Sequence, residues 1–275
     1  MDAPFRHRTE AGRALARSLQ HFAGREDLLV LALPHGGMPV AFEVARALGA
    51  PLDLAVVQPL LHTMGPPRRE VTLGMLGFPA ASRLHEATLN ALALSDEALE
   101  EDLSRARRLL HQRVRDLRPS APVPSLEGHT VVVVDDGTAA GVALRRAAGL
   151  LRGAGARALV AAVPVGAEEG LRLLASDFDE VVCCARPEPF VAVADGYARY
   201  PDVTDAEVRE LLTRAWSKHA PRKMARGAHG ARRTSPPPGH ALPPPEEGDS
   251  PATGSSSERH RYQLATERHG RQRSP

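Results

Sequence analysis

The chain alternates between two hydrophobic periods, and the alternation predicts strands separated by helices. Apolar runs, typical of strands buried on both faces, occur at 28–33 and 52–57, and further strands are predicted at 71–76, 130–134, 157–163 and 180–184. Apolar residues at helical spacing predict helices over 10–22, 38–48, 95–117, 142–152, 167–175 and 204–217. The segment 59–70 contains three prolines and a glycine and is expected to be irregular.

Local signals fix several of the helix ends. Ser95 and Thr204 are predicted N-caps, and Gly24 and Gly49 are predicted C-terminal stops. Strands that alternate with helices need crossover connections, which give a mostly parallel sheet. The fold class is therefore α/β with a parallel, Rossmann-like sheet, and we expect it to occupy residues 1–217.

Amino-acid composition limits the classes of protein to which the chain can belong. The 275 residues are 43% hydrophobic, enough to bury a core in one or two domains. The two cysteines, Cys183 and Cys184, are adjacent and have no nearby histidine, which argues against a disulfide framework and a zinc site. No apolar run reaches about 18 residues, and the N-terminus has no signal-peptide core. We therefore expect a cytoplasmic location without a membrane partner.

Lysine is almost absent from the chain. Residues 1–217 contain none, and the only two are Lys218 and Lys223. A lysine-dependent mechanism in that region, such as Schiff-base chemistry or phosphate binding by a P-loop, is excluded.

Residues 218–275 differ in composition from the rest. They carry 11 Lys/Arg against 5 Asp/Glu and hold 9 of the 24 prolines, whereas residues 1–217 have a net charge of −4. Such a Pro/Arg/Ser-rich segment cannot bury enough apolar surface to offset its ordering entropy, so a disordered tail is expected. A solvated tail is favoured over a nucleic-acid-binding arm, because Tyr262 is its single aromatic residue.

Two predicted turns follow strands and carry candidate chemistry. One is Leu33-Pro34-His35-Gly36-Gly37, whose paired glycines allow the backbone to present N–H groups to an anion. The other continues the strand 131–134 with Asp135-Asp136-Gly137-Thr138-Ala139-Ala140-Gly141. Carboxylates can accept from vicinal hydroxyls, and a helix N-terminus can hold a phosphate, so this pattern suits a sugar phosphate.

Each turn also has a purely structural interpretation. Aspartate is a common helix N-cap, which would account for Asp135 and Asp136. Paired glycines are common in tight turns, which would account for Gly36 and Gly37. Taken alone, each turn favours that interpretation. Their joint placement at the carboxyl ends of two strands of one parallel sheet favours a binding site.

The segment 131–141 resembles the phosphoribosyl-diphosphate-binding motif of type I phosphoribosyltransferases. The loop at 33–41 is similar to the L-P-R-G-G-V-P-V-A loop of a bacterial subgroup whose acceptor is unassigned. Residues 190–193 and 203–205 match its F-x-A-V and V-T-D patterns. The resemblance covers about residues 5–217.

The resemblance implies the roles of the site residues. Asp135 and Asp136 would contact the ribose hydroxyls, and the loop of Gly137, Thr138, Ala139, Ala140 and Gly141 would hold the 5′-phosphate. His35, Gly36 and Gly37 would lie at the pyrophosphate, and Mg²⁺ would bridge pyrophosphate and ribose. Phe190 would either stack on the acceptor or belong to the core.

Several positions depart from the subgroup. His35 replaces an arginine, Gln58-Pro59 replaces an Arg-Lys pair, Ala140 replaces a threonine, and Val142 replaces a small or hydroxyl residue. Permanent charges and phosphate hydrogen bonds are lost at these positions. Arg68 and Arg69 are the candidate compensating cations, with a solvated loop as the alternative.

The expected function is transfer of a 5-phosphoribosyl group from phosphoribosyl diphosphate to an unidentified acceptor, with release of pyrophosphate. The alternative is a non-catalytic nucleotide-binding or regulatory module that retains the phosphate loop. A nucleic-acid partner is not expected, because residues 1–217 are acidic. The oligomeric state stays open, a homo-oligomer included.

Overall fold

The computed structural model describes residues 3–79, 82–118 and 123–219. Its strands are β1 (Leu28–Ala32), β2 (Leu52–Leu54), β3 (Val56–Met64), β4 (Arg69–Phe78), β5 (Ser82–Leu84), β6 (Thr130–Val134), β7 (Ala158–Val165) and β8 (Glu180–Ala185). Its helices are α1 (Arg8–Ser18), α2 (Gly37–Leu48), α3 (Glu86–Leu92), α4 (Asp96–Leu117), α5 (Val142–Gly153), α6 (Glu168–Leu174) and α7 (Asp205–His219). The tail expected over 218–275 lies outside the described residues, apart from the first two positions, which continue α7.

A five-stranded parallel sheet forms the centre, in the order β2-β1-β6-β7-β8. The predicted α/β class with a parallel sheet is confirmed. From β1 the chain moves outward to β2 and later returns to place β6 on the other side of β1. The strand order therefore reverses between β1 and β6, and open sheets of this kind bind ligands at the carboxyl ends of the strands beside such a reversal.

Alternate residues of the central strands enter two separate cores. Val30 and Val132 pack on one face with α1, α2, α4 and α7, whereas Leu31 and Val133 pack on the other face with α5 and α6. All five residues of β6 are buried. The apolar runs thus mark strands covered by helices on both faces, as their continuity predicts.

The structure corrects the expected irregular segment at 59–70. β3 and β4 pair antiparallel from Val56↔Phe78 to Met64↔Arg69, and β5 adds a third strand. We call β3, β4 and β5 the hood. Pro59 lies inside β3, where a missing N–H is tolerated because β3 is an edge strand of this small sheet. The run 52–57 also divides, since β2 ends at Leu54 and β3 starts at Val56 in a different sheet.

Most helix ends follow their predicted signals. The Ser95 side chain accepts from the backbone N–H of Ala98, Thr204 accepts from that of Glu207, and Gly49 ends α2 in the left-handed conformation. The first helix ends at Ser18, before a short 3₁₀ turn, rather than at residue 22. The sequence pattern does not predict α3. None of the described helices is long and apolar enough to cross a membrane.

Candidate active site

The loops after β1 and β6 meet at the point where the strand order reverses. Leu33 donates its backbone N–H to the carbonyl of Val134 at 2.9 Å. A Cβ on Gly36 would clash with the carboxylate of Asp136, and one on Gly37 would lie 2.6 Å from the Val134 carbonyl oxygen. The paired glycines are therefore required by the close approach of the two loops.

Asp136 is buried in an ion pair. Its Oδ2 lies 2.8 Å from Nε of Arg8 and also accepts from the hydroxyl of Tyr200 at 2.8 Å. The hydroxyl of Tyr197 donates to its backbone carbonyl. Both carboxylates are expected to contact the ribose, but in this structure Asp136 is enclosed in an ion pair and does not line the cavity that Asp135 faces. The reason is that Arg8 and the two tyrosines, all distant in sequence, enclose it.

Asp135 faces a cavity of about 540 Å³ beside the loop after β1. Its Oδ1 accepts from the backbone N–H of Asp136 at 3.0 Å. Burial of the carboxyl group, followed by the negative charge of Asp136, raises the pKa of Asp135 well above its usual range. The two adjacent acids are therefore not equivalent, since Asp135 faces the cavity and Asp136 is buried in contacts with Arg8 and Tyr200.

The loop 137–141 uses some of its own polar groups internally. Thr138 donates its N–H to Val165, and its hydroxyl accepts from the N–H of Gly141 at 2.8 Å. Within the described part of the chain, the exposed Ala139 and Ala140 donate no backbone hydrogen bond. These two amides, just before the N-terminus of α5, are thus left available to an anion, while two of the five loop amides are already used.

His35 lies in a polar cluster with Asp205 and Arg113, of which Arg113 lines the cavity. Its Nε2 is 2.6 Å from Oδ1 of Asp205, the first residue of α7, and 2.9 Å from Nη2 of Arg113 on α4. The contact with His35, followed by the charge of Arg113, lowers the pKa of the Asp205 carboxyl group. The cluster brings together three elements that the sequence separates by up to 170 positions.

The cavity is lined by both apolar and charged side chains. Val57 and Met75 of the hood and Leu109 of α4 supply apolar surface, and Leu109 is 48% exposed. Arg113 and Arg146 supply the positive charges. Gln58 and Pro59 of β3 also line it, so the two positions that lack the subgroup's cationic pair do face the site.

Comparison with known proteins agrees with this geometry. A family model described as phosphoribosyl transferase domain matches residues 80–200. Two Mycobacterium tuberculosis proteins, from strains CDC 1551 and H37Rv, bear the provisional name phosphoribosyl transferase and are each 36% identical over 211 residues. These alignments cover 77% of this chain and 47% of each relative, so the chain spans about half the length of the curated relatives it matches.

A solved structure matches over nearly its whole length. The crystal structure of TT1426 from Thermus thermophilus is 35% identical and has a TM-score of 0.62. The match covers 78% of this chain and 99% of that one. The chain belongs to the type I phosphoribosyltransferase family.

Of the predicted site residues, Asp135 lines the cavity, whereas the others do not: His35, Gly36, Gly37, Asp136, the loop 137–141 and Phe190. Phe190 is half-buried and packs with Ala11, Val165 and Tyr197, which favours the core interpretation over acceptor stacking. Arg68 and Arg69 are exposed at the tip of the hood hairpin and are not among the residues that line the cavity.

Sequence reasoning missed Arg8, Arg113 and the two tyrosines. Arg8 and Asp136 are 128 positions apart, and no local spacing connects them. Arg113 shares a helix face with Leu109, Gln112 and Asp116, all of which line the cavity. That spacing is visible in the sequence, but an arginine-rich chain gives no reason to single out one arginine of the phosphoribosyltransferase domain.

Proposed function

We propose that this protein transfers a 5-phosphoribosyl group from phosphoribosyl diphosphate to a small acceptor and releases pyrophosphate. The observation that carries the proposal is the sequence of groups after β6, at the point where the strand order of a parallel sheet reverses: Asp135 lines the cavity, and the loop that follows contains Ala139 and Ala140, whose amides donate no hydrogen bond within the described part of the chain. Family membership supports the reaction class. The acceptor and the activity itself are part of the proposal.

Each part of the site would bind the part of the substrate that its charge and hydrogen-bonding groups favour. The amides of Ala139 and Ala140, with the N-terminus of α5, would bind the 5′-phosphate, because unpaired N–H groups and the helix dipole both favour an anion. Asp135 would accept from the ribose hydroxyls. The loop of His35, Gly36 and Gly37 would lie against the diphosphate. Departure of pyrophosphate concentrates negative charge there, so groups that stabilise this charge would lower the barrier.

Mg²⁺ fits this site as an ion carried mainly by the substrate. No group of three or more His, Cys, Asp or Glu side chains that could hold a metal occurs among residues 3–79, 82–118 and 123–219. Mg²⁺ commonly binds substrate phosphates with one or two carboxylates, and Asp135 can supply one. Asp136 is already paired with Arg8 and Tyr200. When bound, Mg²⁺ would neutralise charge on the departing pyrophosphate.

The acceptor would occupy the space under the hood. Val57, Met75 and Leu109 offer an apolar surface, and Gln58 and Gln112 lie beside them. Such a wall suits a flat, mostly apolar ring whose edge carries hydrogen-bonding groups. We therefore propose an aromatic heterocycle as the acceptor class.

A binding module without catalysis is the second candidate. The observation that favours it is the loss of permanent charge at His35, Gln58 and Pro59. A lost hydrogen bond to a charged group costs about 1.5–3 kcal/mol, so three uncompensated losses would reduce turnover by several orders of magnitude. The loop for the 5′-phosphate does not depend on these positions, so such a module would still bind phosphorylated ribose.

Calorimetry followed by an activity assay separates the two candidates. Phosphoribosyl diphosphate and ribose 5-phosphate are titrated into the protein with and without Mg²⁺, and pyrophosphate release is then measured with a panel of heterocyclic bases. An enzyme binds both ligands and releases pyrophosphate with at least one base. A binding module binds them without release. Failure to bind either ligand would contradict both candidates.

A reducing, cytoplasmic location is also part of the proposal. Cys183 and Cys184 are both free, and they pack against opposite faces of the central sheet. Burial raises the pKa of the Cys183 thiol to about 11, which keeps it protonated and unreactive. Neither thiol is placed for a disulfide with the other.

A further inference from the structure

The diphosphate of the proposed substrate needs a permanent positive charge that the usual loop positions do not supply. Position 35 is a histidine, and positions 58 and 59 are uncharged. We propose that Arg113, from the middle of α4, is the cation that binds the diphosphate. This inference rests on the proposed function and names a binding residue for that same site.

The position of Arg113 carries the inference. Together with Leu109, Gln112 and Asp116 it lies on the face of α4 that lines the cavity. Its Nη2 is 2.9 Å from Nε2 of His35, the residue that stands where the subgroup has arginine. The guanidinium therefore lies next to position 35, where the subgroup has an arginine, although it comes from α4.

Arg113 is paired with Asp205 by charge, but its hydrogen bonds in this cluster are poorly satisfied. Nε2 of His35 lies 2.6 Å from Oδ1 of Asp205, and one ring nitrogen cannot both donate to that carboxylate and accept from Arg113. Nη1 of Arg113 lies 3.6 Å from Oδ2 of Asp205, which is an ion pair but too long for a hydrogen bond. The guanidinium thus has donors without well-placed acceptors, next to the loop that would hold the diphosphate.

A guanidinium suits this role better than the groups it would replace. It is charged at every accessible pH and can donate two parallel hydrogen bonds to phosphate oxygens. Its side chain is 41% exposed, so it can adjust to a ligand and its replacement should not disturb the core. Arg115 on the same helix is exposed, does not line the cavity and provides a matched control.

The test is calorimetric titration of wild type, Arg113→Gln, Arg113→Lys and Arg115→Gln with phosphoribosyl diphosphate, inorganic pyrophosphate and ribose 5-phosphate, all with Mg²⁺. Arg113→Gln should weaken binding of the first two ligands by about tenfold to a hundredfold, the range expected for a lost charge-assisted hydrogen bond. Ribose 5-phosphate should bind unchanged, because it has no diphosphate. Arg113→Lys should keep part of the affinity, and Arg115→Gln should keep all of it.

The outcomes distinguish a failure of this inference from a failure of the proposed function on which it rests. Unchanged affinity of Arg113→Gln for phosphoribosyl diphosphate, an equal loss for ribose 5-phosphate, or an equal loss in Arg115→Gln would overturn the assignment of Arg113 and leave the proposed function standing. No binding of any ligand by wild type would overturn both. If Arg113→Gln does not fold, Arg113→Lys decides, since it should lose affinity for pyrophosphate but not for ribose 5-phosphate.

Discussion

Arg8 and Asp136, 128 positions apart, form a buried ion pair in which Nε of Arg8 lies 2.8 Å from Oδ2 of Asp136. The guanidinium also lies 3.8 Å from the ring centre of Tyr200, whose hydroxyl donates to the same carboxylate. Burial, followed by the charge of Asp136, raises the pKa of Tyr200 to about 12, so this hydroxyl remains a donor at neutral pH. Asp136 thereby ties α1 and the segment around Tyr200 to the end of β6.

This arrangement predicts opposite effects for the two adjacent acids. Asp136→Asn should lower the free energy of unfolding by about 3–5 kcal/mol, the usual cost of leaving one partner of a buried pair uncompensated. Asp135→Asn should raise stability at pH 7, because it removes a charge that burial and Asp136 disfavour. Urea unfolding of both variants measures the difference.

Ligand binding provides the control for this comparison. Asp135→Asn should fold and lose affinity for ribose 5-phosphate, since Asp135 is the carboxylate that faces the cavity. An Asp136→Asn variant as stable as wild type, or an Asp135→Asn variant that unfolds, would show that the roles assigned to the two acids are reversed.

The raised pKa of Asp135 predicts a pH dependence of stability. In the unfolded chain an aspartate titrates near pH 3.9, whereas burial raises the folded value well above this. Between the two values the folded state binds more protons, so the free energy of unfolding falls as pH rises, by at most about 1.4 kcal/mol per pH unit. The advantage of Asp135→Asn over wild type should therefore vanish near pH 4 and grow toward neutral pH. A difference that stays constant from pH 4 to 8 would be incompatible with a raised pKa.

Gly36 should tolerate no side chain. In Gly36→Ala the new Cβ would meet the Asp136 carboxylate, so we expect a stability loss of about 1–3 kcal/mol and weaker ligand binding. Gly153, at the last position of α5, is the control, because a Cβ added there would have nothing within 4 Å. Gly153→Ala should be neutral or slightly stabilising. Thermal unfolding compares the two variants. Equal melting temperatures would mean that the loops after β1 and β6 can move apart without a cost in free energy.

The tail predicted from composition should be dispensable. A protein that ends at His219 retains every described helix and strand. We expect its melting temperature and its affinity for ribose 5-phosphate to match those of the full chain, and limited proteolysis of the full chain to cut first beyond residue 219. A shortened protein that aggregates or loses affinity would place part of the domain in that segment.

The parallel sheet and the positions of the two loops could be predicted from the sequence, because each depends on local patterns. The four valines before Asp135 mark a strand buried on both faces, and the glycines and small residues after each strand mark the turns. Parallel strands end at one edge, so the two loops had to lie close together. The contact between Gly36 and Asp136 follows from that rule.

The hood and the difference between the two adjacent acids could not be predicted in the same way. Three prolines interrupt the strand pattern over 59–70. Pro59 fits in β3 because β3 is an edge strand, and that position in the sheet is not visible in the sequence. Asp135 and Asp136 look alike in sequence. Only packing of Arg8 and Tyr200 against one of them makes the two chemically different.

A crystal structure with ribose 5-phosphate tests the central claim most directly. The account predicts the phosphate at the amides of Ala139 and Ala140 and the N-terminus of α5, with the ribose hydroxyls on Asp135. It also predicts that the ion pair between Arg8 and Asp136 remains intact. A sugar phosphate bound away from the end of β6, or an Asp136 that leaves Arg8 to take the ribose while Asp135 stays unengaged, would contradict it.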